Sequence, residues 1–168
     1  MQIEMMSGND WTGQDVSGWF ASEKLRGWRL LWTGKEYVLR GGGILDVPDC
    51  WLRGMPPIAL DGELYAGRHP NEGRVKSAVA NGRWDELSFH PFDVPVVGLS
   101  VEAAQKQLSA IKLPDHCHIV KFTRIKSTRA ALEMMQGIVA AGGEGAMLRR
   151  PHSVYVPYRT DDLLKMKP

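Results

Sequence analysis

The chain has 168 residues, 43% hydrophobic and 24% charged, with a net charge of +2 and two cysteines, Cys50 and Cys117. These proportions suit one packed domain and argue against a disordered chain or a disulfide-stapled scaffold. No apolar run resembles a signal peptide or reaches membrane-spanning length, which makes a cytoplasmic protein with free thiols the expectation. The charge is uneven: residues 1–117 hold 12 Lys/Arg against 15 Asp/Glu, and residues 118–168 hold 9 against 4. The basic C-terminal third is either a solvated surface or a face suited to phosphate.

Short apolar runs broken by Gly and Pro mark a β-rich domain. In chain order, strands are expected at Trp28–Trp32, Glu36–Arg40, Ile58–Tyr65, Leu87–Val94, His118–Ile125 and Gly145–Arg150, the first two joined by a turn at Thr33-Gly34-Lys35. A short helix is expected around Asn71–Ala80. Val101, Ala104, Leu108 and Ile111 share one helical face, ended by Pro114. Leu132, Met135 and Val139 repeat that spacing, with Ser127 as N-cap and Gly142-Gly143 as the stop. The sum is an α+β domain of mainly antiparallel strands with flanking helices.

Five segments follow one another in order: Lys24-Leu25-Arg26-Gly27-Trp28-Arg29, Leu60-Asp61-Gly62-Glu63-Leu64, Phe92-Asp93, Glu144-Gly145-Ala146-Met147-Leu148-Arg149 and Leu164-Lys165-Met166-Lys167-Pro168. Asp61 and Glu63, two apart on a strand, place both carboxylates on one side, where buried acids need a partner or a metal. Lys165 and Lys167 alternate in the same way. The tight run Asp115-His116-Cys117-His118 has no distant partner motif and does not read as a metal site.

Together the five segments resemble the motifs of the covalent nucleotidyltransferase superfamily and, within it, the ATP-dependent DNA ligases, with Ser22-Glu23-Lys24 and Arg40-Gly41-Gly42 closest to the small bacterial and phage enzymes. The resemblance implies two mainly antiparallel sheets in an ATP-grasp-like catalytic core, the nucleotide pocket between them, with residues 1–168 forming one nucleotidyltransferase (adenylation) domain. It implies that Lys24, once deprotonated, attacks the α-phosphate of ATP and carries AMP. It assigns Arg29 and Glu63 to the ribose, Phe92 to the adenine face, Lys165 and Lys167 to the α-phosphate, and Arg40 to the 5′-phosphate of a broken strand. Glu144 would hold Mg2+ or Mn2+.

The expected partner is nicked double-stranded DNA in repair, replication or recombination, and the expected state is a monomer. The family's OB-fold, which orients the leaving pyrophosphate, is absent from this chain and would come from a longer chain or a partner. One departure stands out, Arg26 where the family usually has Asp. Its fixed charge beside Lys24 would either favour the neutral amine or mark a weakened enzyme. The alternatives are an RNA ligase or capping-type nucleotidyltransferase, and a degenerate domain that binds nicks or nucleotides without full activity.

Overall fold

The computed structural model describes residues 3–68 and 73–168. Nine strands occur among them: β1 (Ser7–Asp10), β2 (Phe20–Lys24), β3 (Trp28–Trp32), β4 (Tyr37–Leu39), β5 (Leu60–Tyr65), β6 (Ser88–Asp93), β7 (Thr123–Arg124), β8 (Gly145–Arg149) and β9 (Arg159–Met166). The α-helices are α1 (Asp49–Leu52), α2 (Arg74–Ala80), α3 (Val101–Ala110) and α4 (Thr128–Ala140). The strands form two sheets, one in the order β1-β9-β8-β2-β7 and the other β4-β3-β5-β6. All the pairings are antiparallel except β1 beside β9.

Each sheet buries its outer face in its own core. Leu30, Trp32, Leu60, Leu64 and Phe89 of the second sheet pack with Ala104 and Leu108 of α3. Ala21, Ala146, Leu148, Leu164 and Met166 of the first sheet pack with Ala131, Met135 and Ile138 of α4. The period-2 alternation of the strands then turns Ser22, Lys24, Met147 and Arg149 of one sheet, and Arg29 and Glu63 of the other, toward the space between.

Ser127 caps α4 as expected, and Ser100, for which no cap was expected, caps α3. Ser100 and Ser127 accept from the third residue beyond, Ala103 N–H at 3.2 Å and Ala130 N–H at 3.0 Å. Gly142, at φ +92°, takes the left-handed conformation that ends α4. The α3 helix stops at Ala110, before Pro114. The helix expected around 71–80 is α2; positions 71 and 72 lie outside the described residues.

The strand expected at His118–Ile125 is corrected to the two residues of β7. His118 N–H and Val120 N–H bond Phe89 and Pro91 carbonyls of β6, whereas Ala21 and Phe20 of β2 pair with Thr123 and Arg124. The segment crosses from one sheet to the other, so no single ladder takes its length. The strands β1 and β2 carry too little alternation to stand out in the sequence. In Asp115–His118, His116 stacks on Trp51 at 4.2 Å and meets Tyr37 Oη at 3.0 Å, while Cys117 is buried in the core.

Leu148→Ala opens a cavity under the first sheet and is expected to lower unfolding free energy by about 2–5 kcal/mol. Ser127→Ala is expected to cost about 1 kcal/mol. Urea titrations of the two variants check both.

Candidate active site

A cavity of about 610 Å³ opens between the sheets. Lys24, Arg29, Arg40, Glu63 and Phe92 line it, as do Ser22, Met147 and Arg149. Val120 and Phe122, on the segment that crosses between sheets, close one flank.

Lys24 is the last residue of β2. Its Nζ lies 2.7 Å from Glu144 Oε1, and both side chains are mostly buried. Glu144 immediately precedes β8, whose first residue, Gly145, pairs with Lys24. A Cβ at Gly145 would collide with the Met166 carbonyl and lie 3.3 Å from Lys167 Cγ. The missing side chain thus lets β9 and Lys167 close over the end of β8 next to the nucleophile candidate. Arg26 reaches the other Glu144 oxygen, with Nε 4.0 Å from Oε2. One carboxylate is therefore shared by an ammonium and a guanidinium.

Arg29 is held by three hydrogen bonds. Its Nε and Nη2 donate to Asp61 Oδ1 and Oδ2, each at 2.6 Å, and Nη2 also donates to the Met6 carbonyl at 2.9 Å. Asp61 is fully buried and accepts a third bond from Tyr155 Oη at 2.9 Å. Burial disfavours the Arg29 charge, but the Asp61 carboxylate outweighs it and holds the proton more firmly than usual. The Arg29 guanidinium also sits 5.0 Å from the centroid of Phe92, whose carbonyl accepts from Gln105 of α3. Phe92 is thereby fixed at the cavity wall.

Glu63 pairs with Arg29 in the β5/β3 register and accepts from Gly27 N–H at 3.1 Å. Gly27 lies so close to Leu64 that a Cβ would run into its carbonyl. Burial pushes the Glu63 carboxyl up to about 7, against the pull of Arg29 and Lys24. Arg40 is exposed at the cavity rim. Lys165 faces the same side as Met147, its partner on β8, and rests 3.4 Å from the exposed Asp10 carboxylate. Lys167 is exposed and lies one residue past the end of β9.

Three residues at the closed end, Asp93, Arg149 and Ser153, received no role in the motif reading. Asp93 ties two strands together. Its Oδ1 accepts from Val94 N–H, and its Oδ2 meets Arg149 Nη1 at 2.8 Å, joining β6 to β8. Ser153 accepts from Arg149 Nε at 2.7 Å. Nothing in the local sequence links Asp93 to Arg149; the signal is a lone charged residue in each of two apolar strands.

No family model matches the chain. It is 28% identical over 169 residues to a DNA ligase of Haemophilus influenzae, an alignment covering 98% of this chain and 63% of that protein. The chain thus spans less than two thirds of that relative's length. A solved Lig E DNA ligase superposes with a TM-score of 0.88 at 27% identity, covering 98% of this chain and 68% of the other. The chain therefore shares the fold of a DNA ligase catalytic core. The ligase fold extends to remoter structures. The Chlorella virus DNA ligase–adenylate has a TM-score of 0.78 at 17% identity, covering 99% of this chain and 68% of that one. The ligase domain of M. tuberculosis LigD has 0.74 at 20%, covering 98% and 60%. No described helix is long and apolar enough to cross a membrane.

The raised Glu63 carboxyl has a signed consequence. Between its ordinary value near 4.5 and about 7, the folded chain holds a proton that the unfolded chain has lost, so this residue's contribution to stability falls as pH rises. His90 and His116, both pushed down to about 4 by burial, contribute the opposite slope below 6.5. Subtracting the Glu63→Gln stability curve from that of the natural chain isolates the Glu63 part. The difference is expected to fall between pH 4.5 and 7 and to be flat above 8, as read from urea midpoints across pH.

Proposed function

We propose that this chain is the catalytic domain of an ATP-dependent DNA ligase that forms lysyl–AMP on Lys24 and passes AMP to the 5′-phosphate of a nick. The observation that carries the reading is the placement of Lys24. It lies at the cavity edge, bonded to Glu144, with Glu63 and Phe92 on the facing wall. The Lys24 nitrogen forms a bond to the α-phosphorus as the bond from phosphorus to the pyrophosphate oxygen breaks. The proton must leave the lysine first, and Glu144 Oε1 at 2.7 Å is within reach to accept it. Phe92 offers a flat face to the base, and Glu63 accepts from ribose hydroxyls. Arg29, locked by Asp61, presents its remaining N–H groups to the sugar.

Lys167, whose chain passes over Gly145, and Lys165 supply positive charge to the α-phosphate. For Lys165 this means leaving the exposed Asp10, a weak surface pair. Mg2+ or Mn2+ fits the donor chemistry. Glu144 supplies one carboxylate, and magnesium takes its other ligands from water and phosphate oxygens. When bound, the ion neutralises phosphate charge. Nicked double-stranded DNA is the inferred partner, with exposed Arg40 at the rim suited to bidentate contact with the 5′-phosphate. The solved Lig E ligase, described as binding DNA with a minimal scaffold, supports that partner. A monomer that relies on an OB-fold for fast reaction with ATP completes the reading.

Incubation with α-labelled ATP or GTP and Mg2+ tests it. Acid-labile label is expected on Lys24 from ATP, and none in Lys24→Ala. Label from GTP instead would point to a capping-type reaction, and label from neither, even with an added OB-fold, would overturn the ligase reading. Phe92→Ala is expected to weaken ATP binding about 10- to 100-fold, the scale of one lost base–aromatic stack, as measured by calorimetry. Arg26→Asp distinguishes the two roles of the unusual arginine. Slower Lys24 labelling marks Arg26 as a working part of the site, and faster labelling marks it as damage.

A further inference from the structure

Arg149 is 3% exposed, yet it lines the cavity. Its Nε donates to Ser153 and its Nη1 to Asp93. Its Nη2 has no partner, the only such buried side-chain nitrogen or oxygen among the described residues. Leaving a charged donor unpaired in a buried place is costly, and native structures rarely do so without a reason. The side chain cannot swing away to find water, because Asp93 and Ser153 hold two of its three nitrogens.

Position along the strand says what would satisfy it. Gly145 and Arg149 mark the two ends of β8, and Gly145 pairs with Lys24. Four residues of strand span about 13 Å, on the order of the length of a nucleoside monophosphate. With the phosphate at Lys24, the base reaches toward Arg149. Between them on the same face lies Met147, an unbranched side chain that yields readily to a flat ring.

We infer that Arg149 is a base-reading residue of the nucleotide pocket, donating an Nη2 N–H to a ring nitrogen of the bound purine. This rests on the reading of the cavity as a nucleotide site. The acceptor is one of the in-plane lone pairs of adenine, at N1, N3 or N7. Two bonds fix the plane of the guanidinium, so the two N–H groups on Nη2 keep fixed directions and favour one ring nitrogen over the others.

The test replaces each nitrogen in turn. Calorimetry on the natural chain compares ATP with 1-deaza-, 3-deaza- and 7-deaza-ATP. One analogue is expected to bind about 10- to 100-fold more weakly than ATP, and the other two within a few-fold of it. A second arm uses the double variant Asp93→Asn with Arg149→Met, which leaves no lone buried charge. In it the weak analogue and ATP are expected to bind equally. The inference is overturned if all three analogues match ATP on the natural chain, if ATP itself does not bind, or if the deficit persists undiminished in the double variant. Binding needs no turnover, so failure of Lys24 to take label would defeat the ligase reading and leave this comparison standing.

Discussion

The buried pair between Arg149 and Asp93 is the contact on which the site's geometry depends. It joins a strand of each sheet at the closed end of the cavity. Burying two charges is expensive, and the pairing offsets that expense only when geometry is good and the remaining groups are bonded. Burial itself lifts the Asp93 carboxyl above its usual range, with Arg149 pulling the other way. Removing either partner alone would strand the other charge between the sheets. A second pair, Arg29 with Asp61, stands nearby and is tied to the opposite side through Tyr155 and Met6. The cavity therefore has a fixed back wall made of charges.

The open end is built differently. Lys24, Arg26 and Glu144 are all partly exposed, and their contacts are single bonds or looser approaches. On the proposed nucleotide reading, the rigid recess would take the neutral ring and the more open mouth the charged phosphates. The ring needs shape, while the phosphates need counter-charge that can be rearranged.

Much of this was legible in the sequence, for identifiable reasons. Lys24, Glu63, Phe92 and Glu144 sit in short motifs whose residue types are demanded by chemistry. The hairpin at Thr33–Glu36 and the cap Ser127 are local devices, so local sequence announces them. Arg149 was visible only as the last letter of a motif, because its partner lies 56 positions away. The segment 118–125 reads as one strand since its residues are strand formers throughout. Only tertiary context shows that half of it follows β6 and half follows β2. The clamp on Arg29 was hidden too, since Met6 and Tyr155 belong to stretches with no periodic pattern. Asp61 read as an acid in want of a partner, and the partner proved to be a side chain on the neighbouring strand.

The two separate cores bear on how changes combine. The residues beneath one sheet pack with α3, and those beneath the other pack with α4. Substitutions in different cores share few neighbours, so their effects on stability add nearly independently. A pair chosen one from the first sheet's core and one from the closed end would interact, because β8 carries both. The molecule thus behaves as two tolerant supports and one intolerant seam, and sequence drift can accumulate in the supports long before it reaches the seam.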